Sequence, residues 1–112
     1  MTRVFELEEL RSSRNACLFE GAKHGDGMAG SMFVTTPPPG GGPDLHTHPY
    51  AEVFLVELGE ATFTVGDEQI VVSPGHVIVV PPDTPHRFEN TGSATLRVVS
   101  FHPSAEVVQT DL

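Results

Sequence analysis

A chain of 112 residues has room for one continuous core, so a single domain spanning residues 1–112 is expected. Its 38% apolar and 19% charged content excludes the low-hydrophobicity, high-charge composition of disordered chains. Fifteen acidic against six basic side chains give a net charge of -9, which repels a nucleic-acid backbone, and no basic patch in the sequence offsets that repulsion.

The first ten residues, MTRVFELEEL, carry neither an apolar leader core nor a membrane span, so a cytoplasmic location without membrane contact is the default expectation. Within them VFELEEL satisfies neither the strand nor the helix period, and a short strand followed by a helical turn is one reading. The lone cysteine, Cys17, has no partner for an intrachain disulfide and reads as structural. FEGAKHGDGMAGSMF, with four glycines, reads as a loop leading into a strand near SMFVTT. PPPGGGPD stops regular structure, because its prolines cannot donate to a ladder and its glycines lose much backbone entropy. A sensor built on this chain would use that loop as its moving lip.

Strands are expected in LHTHPYAEVFLVEL, EATFTV, EQIVV, HVIVVP, HRFEN and TLRVVSFH, with Gly66-Asp67 as a two-residue hairpin turn of the Gly-X type. Short strands at this spacing, punctuated by ten prolines and eleven glycines, argue an all-β sandwich or barrel. VFLVEL and VIVVP are apolar at consecutive positions, so both of their faces should be covered. One face fills the barrel; the other needs a second subunit, hence a homodimer, or else the N-terminal segment.

His46 and His48 alternate about one residue, which on a strand puts both imidazoles on one face within reach of a single ion. Glu52 keeps that parity if PYA turns the chain into the next strand at Pro49. His86, which opens HRFEN after a proline-rich turn, is the candidate fourth ligand. By itself a His-X-His pair is more often a solvated surface pair than a metal site. Three imidazoles and one carboxylate suit iron, manganese, zinc, nickel, cobalt or copper, and suit calcium and magnesium poorly.

At this point the sequence resembles the cupin superfamily, whose first motif is G(X)5HXH(X)3–4E(X)6G and whose second is G(X)5PXG(X)2H(X)3N. Gly40, His46, His48, Glu52 and Gly59 match the first at every fixed position, over residues 40–59. Gly75, Pro81, His86 and Asn90 match the second, over residues 75–90, with Asp83 standing where the family has glycine. That position often needs a positive φ, which Asp tolerates better than most residues. The resemblance implies a jelly-roll-like antiparallel β-barrel of the small single-domain type. It also places His46, His48, Glu52 and His86 on the metal-ligand positions, and makes Asn90 and the glycines structural.

An ion that prefers five or six partners keeps one or two positions open beside four protein ligands. With three neutral imidazoles and one carboxylate a divalent centre carries a charge of about +1, which favours an anionic oxygen donor. Phe54, Val56 and Leu58 share the Glu52 face and Phe88 shares that of His86, so a mainly apolar substrate pocket is expected, with any second anion anchored by Arg97 or a loop residue. Tyr50 lies between two ligands and either touches a substrate or packs the turn. His102 has the parity to reach the interior, although a histidine near a strand end is more often at the surface. His24 and His76 receive no role.

Three functions are compatible with these residues. First ranked is a metal-dependent oxidoreductase of dioxygenase type, acting on a small molecule with a chelating oxygen group, with Glu52 doubling as a base. A redox-neutral Lewis-acid isomerase, lyase or cyclase is the second, and a non-enzymatic sensor of a small molecule or metal is the third.

Overall fold

The computed structural model describes residues 2–112. In chain order, a short 3-10 turn at Leu7–Leu10 leads into β1 (Arg11–Ser13), β2 (Ala16–Glu20), a single helical turn α1 (Gly21–His24) and β3 (Ser31–Thr35). After the proline- and glycine-rich loop come β4 (His46–Thr47), β5 (Glu52–Leu58), β6 (Ala61–Val65) and β7 (Glu68–Val72). The chain continues through β8 (Val77–Val80), β9 (His86–Asn90), β10 (Arg97–His102) and β11 (Thr110–Asp111). Within VFELEEL the helical turn forms over Leu7–Leu10, as one reading had it, while the preceding residues 4–6 form no strand. The strands β1, β2 and β11 were not expected.

Two antiparallel sheets face each other, one ordered β1-β2-β3-β10-β5-β8 and the other β11-β4-β9-β6-β7. This is the jelly-roll-like all-β barrel that the sequence implied. Side chains alternate across each strand, so one face of every strand feeds the space between the sheets. Along β5, Glu52, Phe54 and Val56 are buried while Val53 and Glu57 face out. Along β9, His86, Phe88 and Asn90 are buried, and along β10, Val98, Ser100 and His102 are buried.

The core gathers Phe54, Phe63, Phe88, Val56, Leu96 and Val98 with smaller apolar neighbours. Phe54, Phe63 and Phe88 contact one another with ring centroids 5.1–5.8 Å apart, each pair adding about 0.5–1.5 kcal/mol beyond its buried area. The β5–β10 register slips after Val56, where Val98 pairs with Val56 but Arg97 pairs with Leu58. The extra residue turns Leu58 outward, and it is exposed rather than part of a pocket.

Backbone geometry accounts for the glycine spacing. Gly59 has φ +83, and a β-carbon there would sit 2.4 Å from the Thr95 carbonyl oxygen, so only glycine fits. Asp83, in the place of a family glycine, has φ +57, the left-handed conformation that Asp accepts. Gly66 opens the β6–β7 hairpin with φ +56, as the Gly-X turn requires. Asn90 ties the far end of the barrel together: its side-chain nitrogen donates to the carbonyls of Pro37 and Ala94, and its oxygen accepts from Gly92 N–H.

The outer face of the larger sheet is covered unevenly. The N-terminal segment packs over β2, with Phe5 against Phe19, and Cys17 on that strand is buried together with its cross-strand neighbour Val34. Farther across, Val53, Val77, Val79 and Phe101 are 37%, 60%, 59% and 46% exposed. The registers set Phe101 beside Val53, and Val53 beside Val79, in one row. The expectation that both faces of VFLVEL and VIVVP are covered therefore fails within one chain, because the N-terminal segment lies over different strands.

Candidate metal centre

His46 enters from β4, which pairs with β9 directly opposite His86. His48 follows β4, and the bend at Pro49 and Tyr50 carries the chain into the other sheet, whose strand β5 begins at Glu52. The four side chains are 6%, 2%, 3% and 2% exposed in the order His46, His48, Glu52, His86. Each offers one ligand atom, and those atoms lie within 4.8 Å of one another.

Backbone carbonyls orient all three imidazoles. His46 Nδ1 meets the Asp44 carbonyl at 2.6 Å, His48 Nδ1 that of Val108 at 2.7 Å, and His86 Nδ1 that of Thr84 at 2.8 Å. A carbonyl only accepts, so each Nδ1 carries the proton and each Nε2 presents a lone pair inward. Glu52 Oε1 stands 3.1 Å from Nε2 of both His48 and His86. Atoms this close need a proton or a metal cation between them; His86 Nε2 is aligned with Oε1, whereas His48 Nε2 has no aligned hydrogen-bond partner. The donor set fits one divalent transition metal ion of the iron-to-zinc series and leaves its identity open.

Charge and burial act in opposite directions here. Burial would raise the Glu52 carboxyl, but the imidazoles of His102, His48 and His86 outweigh it and hold the group far below the usual carboxylate range. For His48, burial disfavours the charged ring, yet Glu52 and the Val108 carbonyl reverse the sign and raise it. His46 is lowered by burial, with His86 and His48 adding to the effect.

A second layer lies behind the carboxylate. Tyr50 stacks on His48, with centroids 5.3 Å apart and planes at 7°. Its hydroxyl accepts from Val108 N–H at 3.2 Å and lies 2.7 Å from His102 Nδ1. His102 Nε2 faces Glu52 Oε2 at 2.9 Å, a close electrostatic contact rather than an aligned hydrogen bond; a carboxylate oxygen only accepts, so the ring proton sits on Nε2 and Nδ1 accepts from the Tyr50 hydroxyl. Burial raises the Tyr50 phenol, so it stays a donor at neutral pH. His102 is only 1% exposed, not the surface histidine that its place near a strand end suggested. Its tautomer is opposite to that of the other three, which makes it a buttress of Glu52.

A cavity of about 350 Å³ opens beside this cluster. Of the residues expected to line the substrate pocket, Phe54, Phe88 and His102 do so, Tyr50 stands behind His48 and His102, and Val56 lies deeper in the apolar core. Phe33, Ser100, Arg14, Asn15 and Gln109 also line it. These escaped sequence reasoning because pairing of distant segments brings them there. Parity along β3 and β10 would have reached Phe33 and Ser100 once the register was known.

The family model described as Cupin domain matches residues 33–102. An uncharacterized protein of Methanocaldococcus jannaschii is 31% identical over 74 residues, which cover 65% of this chain and 59% of that protein. Protein SchB of Streptomyces halstedii is 36% identical over 75 residues, covering 66% and 54%. Among solved structures, an oxalate decarboxylase from Lactobacillus farciminis superposes with TM-score 0.83 at 19% identity over 96% of this chain and 35% of that one. The Bacillus subtilis oxalate decarboxylase, studied for its Mn(II) centres, gives 0.84 at 22% identity over 95% and 31%. The chain thus spans just over half of these curated relatives and about a third of the solved enzymes. With its barrel, its two motifs and a family match across most of its length, the chain belongs to the cupin family.

Proposed function

We propose that the protein is a metal-dependent oxidoreductase of dioxygenase type, acting on a small, partly hydrophobic molecule with a chelating oxygen group. The observation that carries this reading is the convergence of three carbonyl-pinned imidazoles and Glu52 on one point at the wall of a largely apolar cavity. A divalent transition ion held there would supply Lewis acidity and, for the redox-active members of the series, electron transfer. The Mn(II) centres of the Bacillus subtilis enzyme support a redox-capable ion in a barrel of this shape.

The chain's own residues would bind and orient the substrate. Phe33, Phe54 and Phe88 offer an apolar wall that displaces water. His102 presents its Nε2–H to Glu52 Oε2 at the cavity wall and, with Tyr50 behind it, keeps that carboxylate in place beside the substrate. The same donor set, with a carboxylate as its basic group, favours a second reading, redox-neutral proton transfer on a polarised carbonyl. The proposal also includes a cytoplasmic homodimer, supported by the uncovered row of Val53, Val79 and Phe101.

The test begins with elemental analysis of protein purified without chelators. Iron, manganese, nickel or copper loading should then yield oxygen consumption with catechols or linear diketones, and zinc loading none. Only tightly bound zinc, with no oxygen uptake after any loading, overturns the oxidoreductase. Turnover by the zinc form without oxygen selects the redox-neutral reading.

A further inference from the structure

Five of the six basic side chains are paired with a carboxylate. Arg3 meets Asp26, Arg11 meets Glu8, Lys23 meets Glu20, Arg87 meets Glu89 and Arg97 meets Glu57, at 2.6–3.7 Å. Arg14, an exposed residue that also lines the cavity, alone has no such partner among the described residues, and it is the one Lys or Arg among the described residues lining that cavity.

The turn that carries Arg14 is pinned from both sides. The Arg11 guanidinium donates to the carbonyls of Ser13 and Arg14, and the Asn15 carbonyl accepts from Thr36 N–H at 2.7 Å. These bonds use the Arg14 backbone and leave its guanidinium free. Among the described residues the only carboxylate lining the same cavity, Glu52, is committed to three imidazoles. Between the two poles the wall is mainly apolar, with Phe33, Phe54, Phe88 and Pro37.

From this arrangement we infer that Arg14 anchors a carboxylate at the far end of a bipolar substrate, whose other end is the chelating oxygen group and whose middle is apolar. The inference rests on the metal-centre reading above. Of the two anchors expected for a second anion, Arg97 or a loop residue, it selects the loop: Arg14 sits in the β1–β2 turn, whereas Arg97 lies outside and is held by Glu57 at 2.9 Å. A guanidinium and a carboxylate form paired, charge-assisted hydrogen bonds that a neutral group cannot replace.

The test is calorimetric titration of the zinc-loaded full chain, in which catechol probes are not oxidised. The probes are catechol, protocatechuate, homoprotocatechuate and dihydrocaffeate, which share the chelating end and carry the carboxylate progressively farther away. At least one acid should bind about tenfold more tightly than catechol at low salt. Arg14→Gln should reduce that ratio to about one, and Arg14→Lys should restore part of it. Equal affinities for catechol and all the acids, or a ratio that survives in Arg14→Gln, overturn the Arg14 assignment alone. Catechol binding that is indifferent to zinc overturns the metal reading beneath it.

Discussion

The two ends of the barrel are built on the same strands and do different work. β5 runs inward-facing from Glu52 through Phe54 to Val56, and β10 runs from His102 through Ser100 to Val98. At one end the interior is a packed apolar cluster around Phe63 and Leu96, both fully buried. At the other end it is four histidines around one carboxylate. Apolar packing needs no orientation beyond shape, whereas every imidazole at the polar end requires a partner for its outer nitrogen. Stability and chemistry are therefore separable along a single strand.

The sharpest way to break this comparison is a pair of substitutions, one at each end. His48→Ala should abolish stoichiometric metal binding while the circular dichroism of the barrel persists. Leu96→Ala should cost about 2–5 kcal/mol of stability and leave metal stoichiometry unchanged in the folded protein. Metal content would be read by elemental analysis and stability by denaturant unfolding. Equal loss of metal in both variants would show that the two ends are one cooperative unit.

A finer division lies within the polar end. His102→Ala should weaken metal affinity by roughly 10–100-fold, the usual effect of removing a group that orients a ligand, and should alter the spectrum of a cobalt-substituted site. Competition with a chromogenic chelator measures the first. An unchanged affinity would mean that Glu52 is held by its strand alone.

The smallest expected effect concerns the outer face. Val79→Glu would place a charge amid Phe101, Val53 and Val77. It should shift a dimer towards monomer in sedimentation experiments by about tenfold in dissociation constant, a change of ~1.4 kcal/mol. Identical sedimentation of a monomeric parent and the variant would remove the homodimer.

Much of the polar end was legible because strand parity is rigid. His46 and His48 share a face through the two-residue period, and the cupin spacing located Glu52 and His86 with no knowledge of the turn between them. Asp83 was read correctly because the requirement there is a backbone angle, not a side chain. His102 was ambiguous because parity gave its face while the strand end suggested water, and only the partner Tyr50 resolves it. Arg14, Gln109 and the backbone of Val108 were invisible. They reach the site through the β1–β2 hairpin and the β4–β11 pairing, which local composition does not encode. The same holds for β2, whose ACLFE becomes a strand only when laid against β3.

Val108 touches the centre twice, giving its carbonyl to His48 and its N–H to Tyr50. The segment from Pro103 to Leu112 is therefore fastened by the same bonds that aim one ligand and set the tautomer of the group behind another. Docking of this segment and loading of the ion are linked equilibria: each must favour the other by the same factor. The exchange rate of a single backbone amide, that of Val108, thus becomes a reporter of occupancy, slowing as the centre fills, without reference to any reaction.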